Sequence, residues 1–151
     1  MSQSQPEMTA GVTAGGSSLD GIVWNILGQT YRPLQRSESS MAWNAVFPPG
    51  TFVPPHIHPT QDEFIYMFAG RLDLELEGRP GTAGAGDLVR LPRGIPHGLF
   101  NRSRERVSCL FWVAPTRMLW DLFEKINNVL DPAEVIRLAE QHEVHFLPPP
   151  E

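Results

Sequence analysis

The 151-residue chain is the size of one ordinary domain, long enough for one buried core and too short for two comfortable ones. Its 12 Lys plus Arg against 17 Asp plus Glu leave a net charge of −5 with no basic run, which argues against nucleic acid as a partner. Cys109 is the single cysteine, so no intramolecular disulfide forms, and neither a leader-like start nor an apolar run of membrane-spanning length is present. The expectation is a soluble, cytoplasmic protein that engages no membrane.

Residues 1–20 are rich in Ser, Gln, Thr, Gly and Ala without periodicity, and they carry too little apolar surface to offset the entropy of ordering. They read as a flexible N-terminal arm. Over residues 21–115 the texture changes to short apolar or alternating runs separated by Pro and Gly, the pattern of an all-β barrel or sandwich. Strands are expected at Ile22–Leu27, Met41–Phe47, Glu63–Phe68, Leu72–Leu76, Asp87–Leu91 and Val107–Val113. In Arg71-Leu72-Asp73-Leu74-Glu75-Leu76-Glu77 the alternation puts three leucines on one face, and Glu77-Gly78-Arg79-Pro80-Gly81 reads as the turn that follows.

Along the strand of Glu63, Ile65 and Met67 share its face while Phe64, Tyr66 and Phe68 point to the other side, where the terminal helices or a second subunit would cover them. Cys109 alternates with Val107, Phe111 and Val113 and reads as a small buried apolar residue.

Beyond Pro115 the apolar period lengthens. Leu119, Leu122, Phe123, Ile126 and Val129 or Leu130 form one helical stripe. A second helix starts at Asp131-Pro132-Ala133-Glu134, where Asp caps, Pro suits the first turn and Glu sits at a capping-box position; Val135, Leu138 and Ala139 would pack inward. Residues 116–147 thus belong to the same domain as helices, and 148–151 form a Pro-rich tail.

Three of the five histidines fall in two short Pro- and Gly-rich segments. In Pro55-His56-Ile57-His58-Pro59 alternate residues of an extended chain point the same way, so two imidazoles can meet at one point. Glu63 follows after room for a turn, and His97 lies in the bend Pro92-Arg93-Gly94-Ile95-Pro96-His97. Three imidazoles and one carboxylate, without thiolate, suit one divalent transition metal ion (Fe, Mn, Ni, Co, Cu or Zn) and are poor for Ca. Four protein ligands leave coordination positions open. His142 and His145 lie in or after the last helix and are read as packing or solvated residues.

These segments resemble the two motifs of the cupin superfamily. The first runs from Gly50 through His56, His58 and Glu63 to Gly70, with five, one, four and six residues between fixed positions. The second runs from Gly86 through Pro92, Gly94 and His97 to Asn101. The resemblance implies a double-stranded antiparallel β-barrel, the jelly roll, and the two C-terminal helices read from the apolar period would pack on it. It also implies one metal ion held by His56, His58, Glu63 and His97, and a homodimer. The general layout is similar to small bacterial cupins of the quercetin-dioxygenase-like kind and to cupin cyclases of aromatic polyketide pathways.

The leading functional expectation is a metal-dependent dioxygenase acting on a small aromatic or enolisable substrate that chelates the metal, with Glu63 as ligand and possible proton acceptor. The alternatives are a metal-dependent isomerase or aromatic polyketide cyclase, and a non-catalytic small-molecule binding cupin. Aromatic and sulfur side chains on the expected strands, Trp24, Trp43, Met67 and Phe111, are candidates to line an apolar pocket above the metal. Asn101 is expected to hold backbone near His97.

Overall fold

Alternation of buried and half-buried residues builds the sheets. A computed structural model describes residues 8–148, so the first seven residues of the expected arm and the last three of the tail lie outside the described residues. The elements in chain order are β1 (Trp24–Ile26), β2 (Gln29–Arg36), β3 (Met41–Phe47), β4 (Phe52–Ile57), β5 (Asp62–Ala69), β6 (Arg71–Leu76), β7 (Arg79–Gly84), β8 (Leu88–Leu91), β9 (His97–Phe100), β10 (Val107–Ala114), α1 (Leu119–Ile126), α2 (Pro132–Glu140) and β11 (His145–Phe146). A short 3₁₀ turn, Leu19–Gly21, precedes β1.

The strands form two antiparallel sheets facing one another across the core. One has the order β1-β2-β3-β10-β5-β8 and the other β11-β4-β9-β6-β7. Strands β3 and β10 pair from Met41↔Val113 to Phe47↔Val107, and each buries every second residue, so Met41, Trp43, Ala45 and Phe47 meet Val107, Cys109, Phe111 and Val113 inside. This is the β-jelly roll expected from the motifs, with two helices after it. Cys109 is buried in that row, and burial pushes its thiol well above the ordinary value. No helix among the described residues is long and apolar enough to cross a membrane.

The turn after β6 is tighter than the composition suggests. Only Glu77 and Gly78 occupy it, both at positive φ (52° and 79°), the backbone of a two-residue hairpin. Arg79-Pro80-Gly81, expected as turn, opens β7 instead; proline is tolerated there because β7 lies at the edge of its sheet. Asn101 is fully buried at the other end of its motif. Its Nδ2 donates to the carbonyls of Phe47 and Glu105, both at 2.8 Å, and Gly50 N donates to the Asn101 carbonyl at 2.8 Å. It therefore ties the β3–β4 and β9–β10 connections together and does not act on the backbone beside His97.

An isolated helix as short as α1 is unstable in water, so burial must hold it. Leu119, Leu122, Phe123 and Ile126 recur at helical spacing and are all buried. The Phe123 ring sits 5.4 Å from Trp24, 5.3 Å from Tyr31 and 5.1 Å from Trp43, which pins the helix over the inner face of β1–β3. In α2, Asp131 Oδ1 accepts from Ala133 N at 3.0 Å as the expected cap. Glu134 does not complete a capping box, because its carboxylate pairs with Arg137 one turn on. Leu130, offered as an end of the α1 stripe, is 94% exposed.

Both helices close the inner side of the sandwich. They leave the outer row of β5 uncovered, where Phe64 stacks on Trp112 at 5.1 Å and Phe68 is 50% exposed, so the terminal helices are not what covers that face.

Candidate metal centre and its cavity

Strands from both sheets deliver the four expected ligands to one buried point. His56 on β4 and His97 on β9 are direct cross-strand partners, with ring centroids 4.3 Å apart. The β4–β9 ladder shifts register between Val53 and His56, across the Pro54-Pro55 pair that cannot donate to it. His58 follows the end of β4, and the loop carrying Gly94 is tied to it by Gly94 N donating to the His58 carbonyl at 2.9 Å. Gly94 has φ +80°, a conformation that suits glycine. Glu63 comes from β5 in the opposite sheet, and the ligating atoms of all four residues lie within 4.8 Å of one another.

The outward-facing ring nitrogens decide what the inward-facing ones can do. His56 Nδ1 lies 2.8 Å from the Pro54 carbonyl, His97 Nδ1 3.2 Å from the Ile95 carbonyl, and His58 Nδ1 2.8 Å from Gln61 Oε1. Carbonyl oxygens only accept, so each Nδ1–H donates and each Nε2 keeps its lone pair. The orientation of the Gln61 amide is itself set, since its Nε2 donates to Pro115 O at 3.0 Å and Thr116 O at 2.7 Å.

His97 Nε2 and His58 Nε2 stand 3.0 Å and 3.4 Å from Glu63 Oε2. Lone pairs and a carboxylate facing each other in a dry interior repel unless positive charge lies among them. A divalent cation is such a charge, and the thiolate-free donor set fits Fe, Mn, Ni, Co, Cu or Zn.

The electrostatics point the same way. Burial, then the neighbouring imidazoles, hold His56 well below the ordinary histidine value, and burial lowers His58 against the pull of Glu63. Both are therefore neutral near pH 7 and able to ligate. Burial alone would raise the Glu63 carboxyl, but the adjoining His58 and the contact of Glu63 with His97 outweigh it and hold the group well below the usual carboxylate range.

Beside the cluster lies a cavity with about 520 Å³ of empty space, part of it continuous with solvent. Its walls come from both sheets and from α1, α2 and β11. Trp43 and Phe111, two of the four residues expected to line it, do so, with their rings stacked 5.3 Å apart. Trp24 and Met67 are placed elsewhere in the core; Trp24 packs against Trp120 and Phe123 behind the wall. Tyr31, Phe123 and Phe146 line the cavity as well, beyond the four expected residues.

Tyr31 alternates with Gln29 and Pro33 on a strand too polar to stand out. Phe146 reaches the site because residues after α2 return as β11 beside β4, placing its ring 5.3 Å from His56. His142 is buried outside the cluster, its Nδ1–H donating to the Leu138 carbonyl at 2.7 Å and its Nε2 accepting from Lys125 Nζ at 3.0 Å.

Residues 43–113 match the Cupin domain family. Polyketide synthase CurC of Streptomyces cyaneus is 30% identical over 71 residues, which is 47% of this chain and 46% of that protein. Dimethylsulfoniopropionate lyase DddQ of Ruegeria pomeroyi is 32% identical over 77 residues, 50% of this chain and 38% of that protein. The matched region thus spans less than half of either relative. Among solved structures, an RmlC-like cupin from Shewanella frigidimarina superposes with a TM-score of 0.66 at 18% identity, covering 76% of this chain and 99% of that one, a likeness of fold alone. With both motifs complete, the four ligand positions converging and the jelly roll in place, residues 43–113 match the Cupin domain family and the chain has the cupin fold.

Proposed function

We propose that the chain is a metal-dependent enzyme acting on a small, apolar, aromatic or enolisable substrate that binds through its oxygens beside His56, His58, Glu63 and His97. The observation that carries this reading is the contrast inside the cavity. Its polar side chains are the cluster residues His56, His58 and Glu63 together with Tyr31 and Trp43, and no Arg or Lys lines it among the described residues. An anionic group could pair only at the cluster, because these walls offer no cationic side chain to a second one, and this favours substrates whose remaining body is apolar.

A bound divalent ion would supply Lewis-acid chemistry, acidifying an enol or phenol held against it. The three histidines keep their lone pairs inward, fixed by Pro54, Gln61 and Ile95, and the apolar walls exclude water from the substrate. Glu63, ionised and beside the bound oxygens, is the group placed to accept a proton. Tyr31 is not a base, because burial, with the charge of Glu63 adding, pushes its hydroxyl far above the ordinary value.

Isomerisation, or ring closure by attack of the enolate carbon on a second carbonyl, needs only that the proton taken by Glu63 be returned, to carbon or to the new alkoxide, with no further co-reactant, and the similarity to polyketide synthase CurC favours it. Dioxygenation is the second reading, favoured by a donor set that accepts redox-active Fe, Mn, Ni or Cu as readily as Zn. Turnover of flavonols, diketones and hydroxy-aromatics, followed aerobically and anaerobically with zinc as the sole metal, separates them. Unchanged anaerobic turnover supports the cyclase or isomerase; dependence on dioxygen with a redox metal supports the dioxygenase. Absence of both, across apolar chelating compounds, contradicts catalysis on this substrate class.

A further inference from the structure

Trp43 presents a feature that the cluster does not use. Its side chain lines the cavity and is 1% exposed, yet its Nε1–H has no hydrogen-bond partner among the described residues. A buried donor left unpaired is costly, and native cores rarely keep one without a purpose.

The other polar group on this wall cannot satisfy a ligand in the same way. Gln29 Nε2 donates to the carbonyls of Leu27 and Phe52, at 3.1 Å and 3.2 Å, which turns its Oε1 toward Tyr31. The Tyr31 hydroxyl then donates to Gln29 Oε1 at 3.2 Å. With that proton committed, the indole N–H of Trp43 is the free donor of the wall. The residue sits on β3, with β10 between it and the strand of Glu63. Through Phe111 of β10, Trp43 stands opposite Ile65, and Glu63 lies two residues further along β5, so the backbones of Trp43 and Glu63 are roughly 12 Å apart.

We propose that Trp43 is a specificity-determining residue whose Nε1–H donates a hydrogen bond to an acceptor oxygen, such as a carbonyl, on an apolar ring-containing ligand. The inference rests on the reading of this cavity as the substrate site, and it requires neither the metal nor a particular reaction. It makes the ligand bifunctional: one oxygen end at the cluster and a second acceptor oxygen on another part of its apolar ring system. A hydrocarbon of the same shape fills the same walls but leaves the indole donor unpaired.

The test uses the full chain stripped of metal by chelator, with α-tetralone as the oxygenated probe and tetralin as its counterpart without the carbonyl. Wild-type protein is expected to bind α-tetralone roughly tenfold more tightly than tetralin. In ¹⁵N-resolved spectra, one of the four indole N–H resonances should move downfield with α-tetralone and stay in place with tetralin. Trp43→Phe should bring α-tetralone down to the level of tetralin and remove the resonance that moved.

The wild-type spectra decide the matter even where that variant fails to fold. Equal binding of the two probes, no binding of either, or a preference that survives in folded Trp43→Phe overturns the proposal. An intact α-tetralone preference in protein that then fails to take up metal would count against the cluster reading alone.

Discussion

His58 Nδ1 lies 2.8 Å from Gln61 Oε1, and the Gln61 amide is anchored on the far side by the carbonyls of Pro115 and Thr116. A buried glutamine three residues after a ligand thus sets which nitrogen of that ligand faces the cluster. The anchoring carbonyls belong to the segment that joins β10 to α1, so the helical cap and the cluster share one hydrogen-bond chain.

Gln61→Leu should therefore weaken metal binding while leaving all four ligands in place. Removing the group that orients a metal-bound histidine commonly costs about 10- to 100-fold in affinity. Competition against a chelator of known strength measures it. Wild-type affinity in a folded Gln61→Leu protein would show that the His58 ring is oriented without the amide.

Acid should destabilise the metal-free protein earlier than carboxylate titration alone predicts. His56 and His58 are held below the ordinary value of about 6.5 in the fold but not in the unfolded chain. Below that pH the unfolded state takes up protons that the folded state refuses, so stability is full above about pH 6.5 and declines below it, at up to about 1.4 kcal/mol per pH unit for each histidine. Glu63, held low in the fold, adds a further loss as pH falls below the ordinary carboxylate range. Melting temperatures of chelator-treated protein from pH 8 to pH 4 check this. A flat profile between pH 6.5 and pH 5 would contradict neutral, buried imidazoles.

Two motif glycines should respond differently to alanine. Gly70 has φ +82°, and a Cβ there would stand 2.9 Å from the Arg106 carbonyl oxygen and 3.0 Å from Val107 Cα, both backbone atoms. Gly86 has φ +88° but open space around the same position. Gly86→Ala then bears only the cost of the left-handed backbone, about 1 kcal/mol, whereas Gly70→Ala adds a clash with a neighbouring strand and should exceed about 3 kcal/mol. Denaturant unfolding of the two variants side by side gives the difference, and equal losses would mean the backbone near Arg106 yields freely.

What was legible in the sequence follows from how local each signal is. The β5 and β6 alternation and the ligand spacing are properties of a few consecutive residues, and the structure reproduces them in the buried faces of Glu63, Ile65, Met67, Leu72 and Leu74. Strand β2 was not, since Gln29-Thr30-Tyr31-Arg32-Pro33 alternates without an apolar row and is held by pairing with β3. Strand β11 has two residues and exists only because β4 lies beside it. The pocket wall divides in the same way: Trp43, Phe111, Trp24 and Met67 all lie on buried faces, and only the curvature of the sheets and the seat of Phe123 decide that the first two meet the cavity. Gln61 lacked any local signal except its position between two ligands, because its partners come from residues 115 and 116.

Elemental analysis of chelator-stripped, metal-reloaded protein shows whether His56, His58, Glu63 and His97 together hold one metal ion. About one ion per chain is expected in the wild type and no stoichiometric metal in His58→Ala, with a β-rich circular dichroism spectrum retained in both. Full metal retention in folded His58→Ala would contradict it.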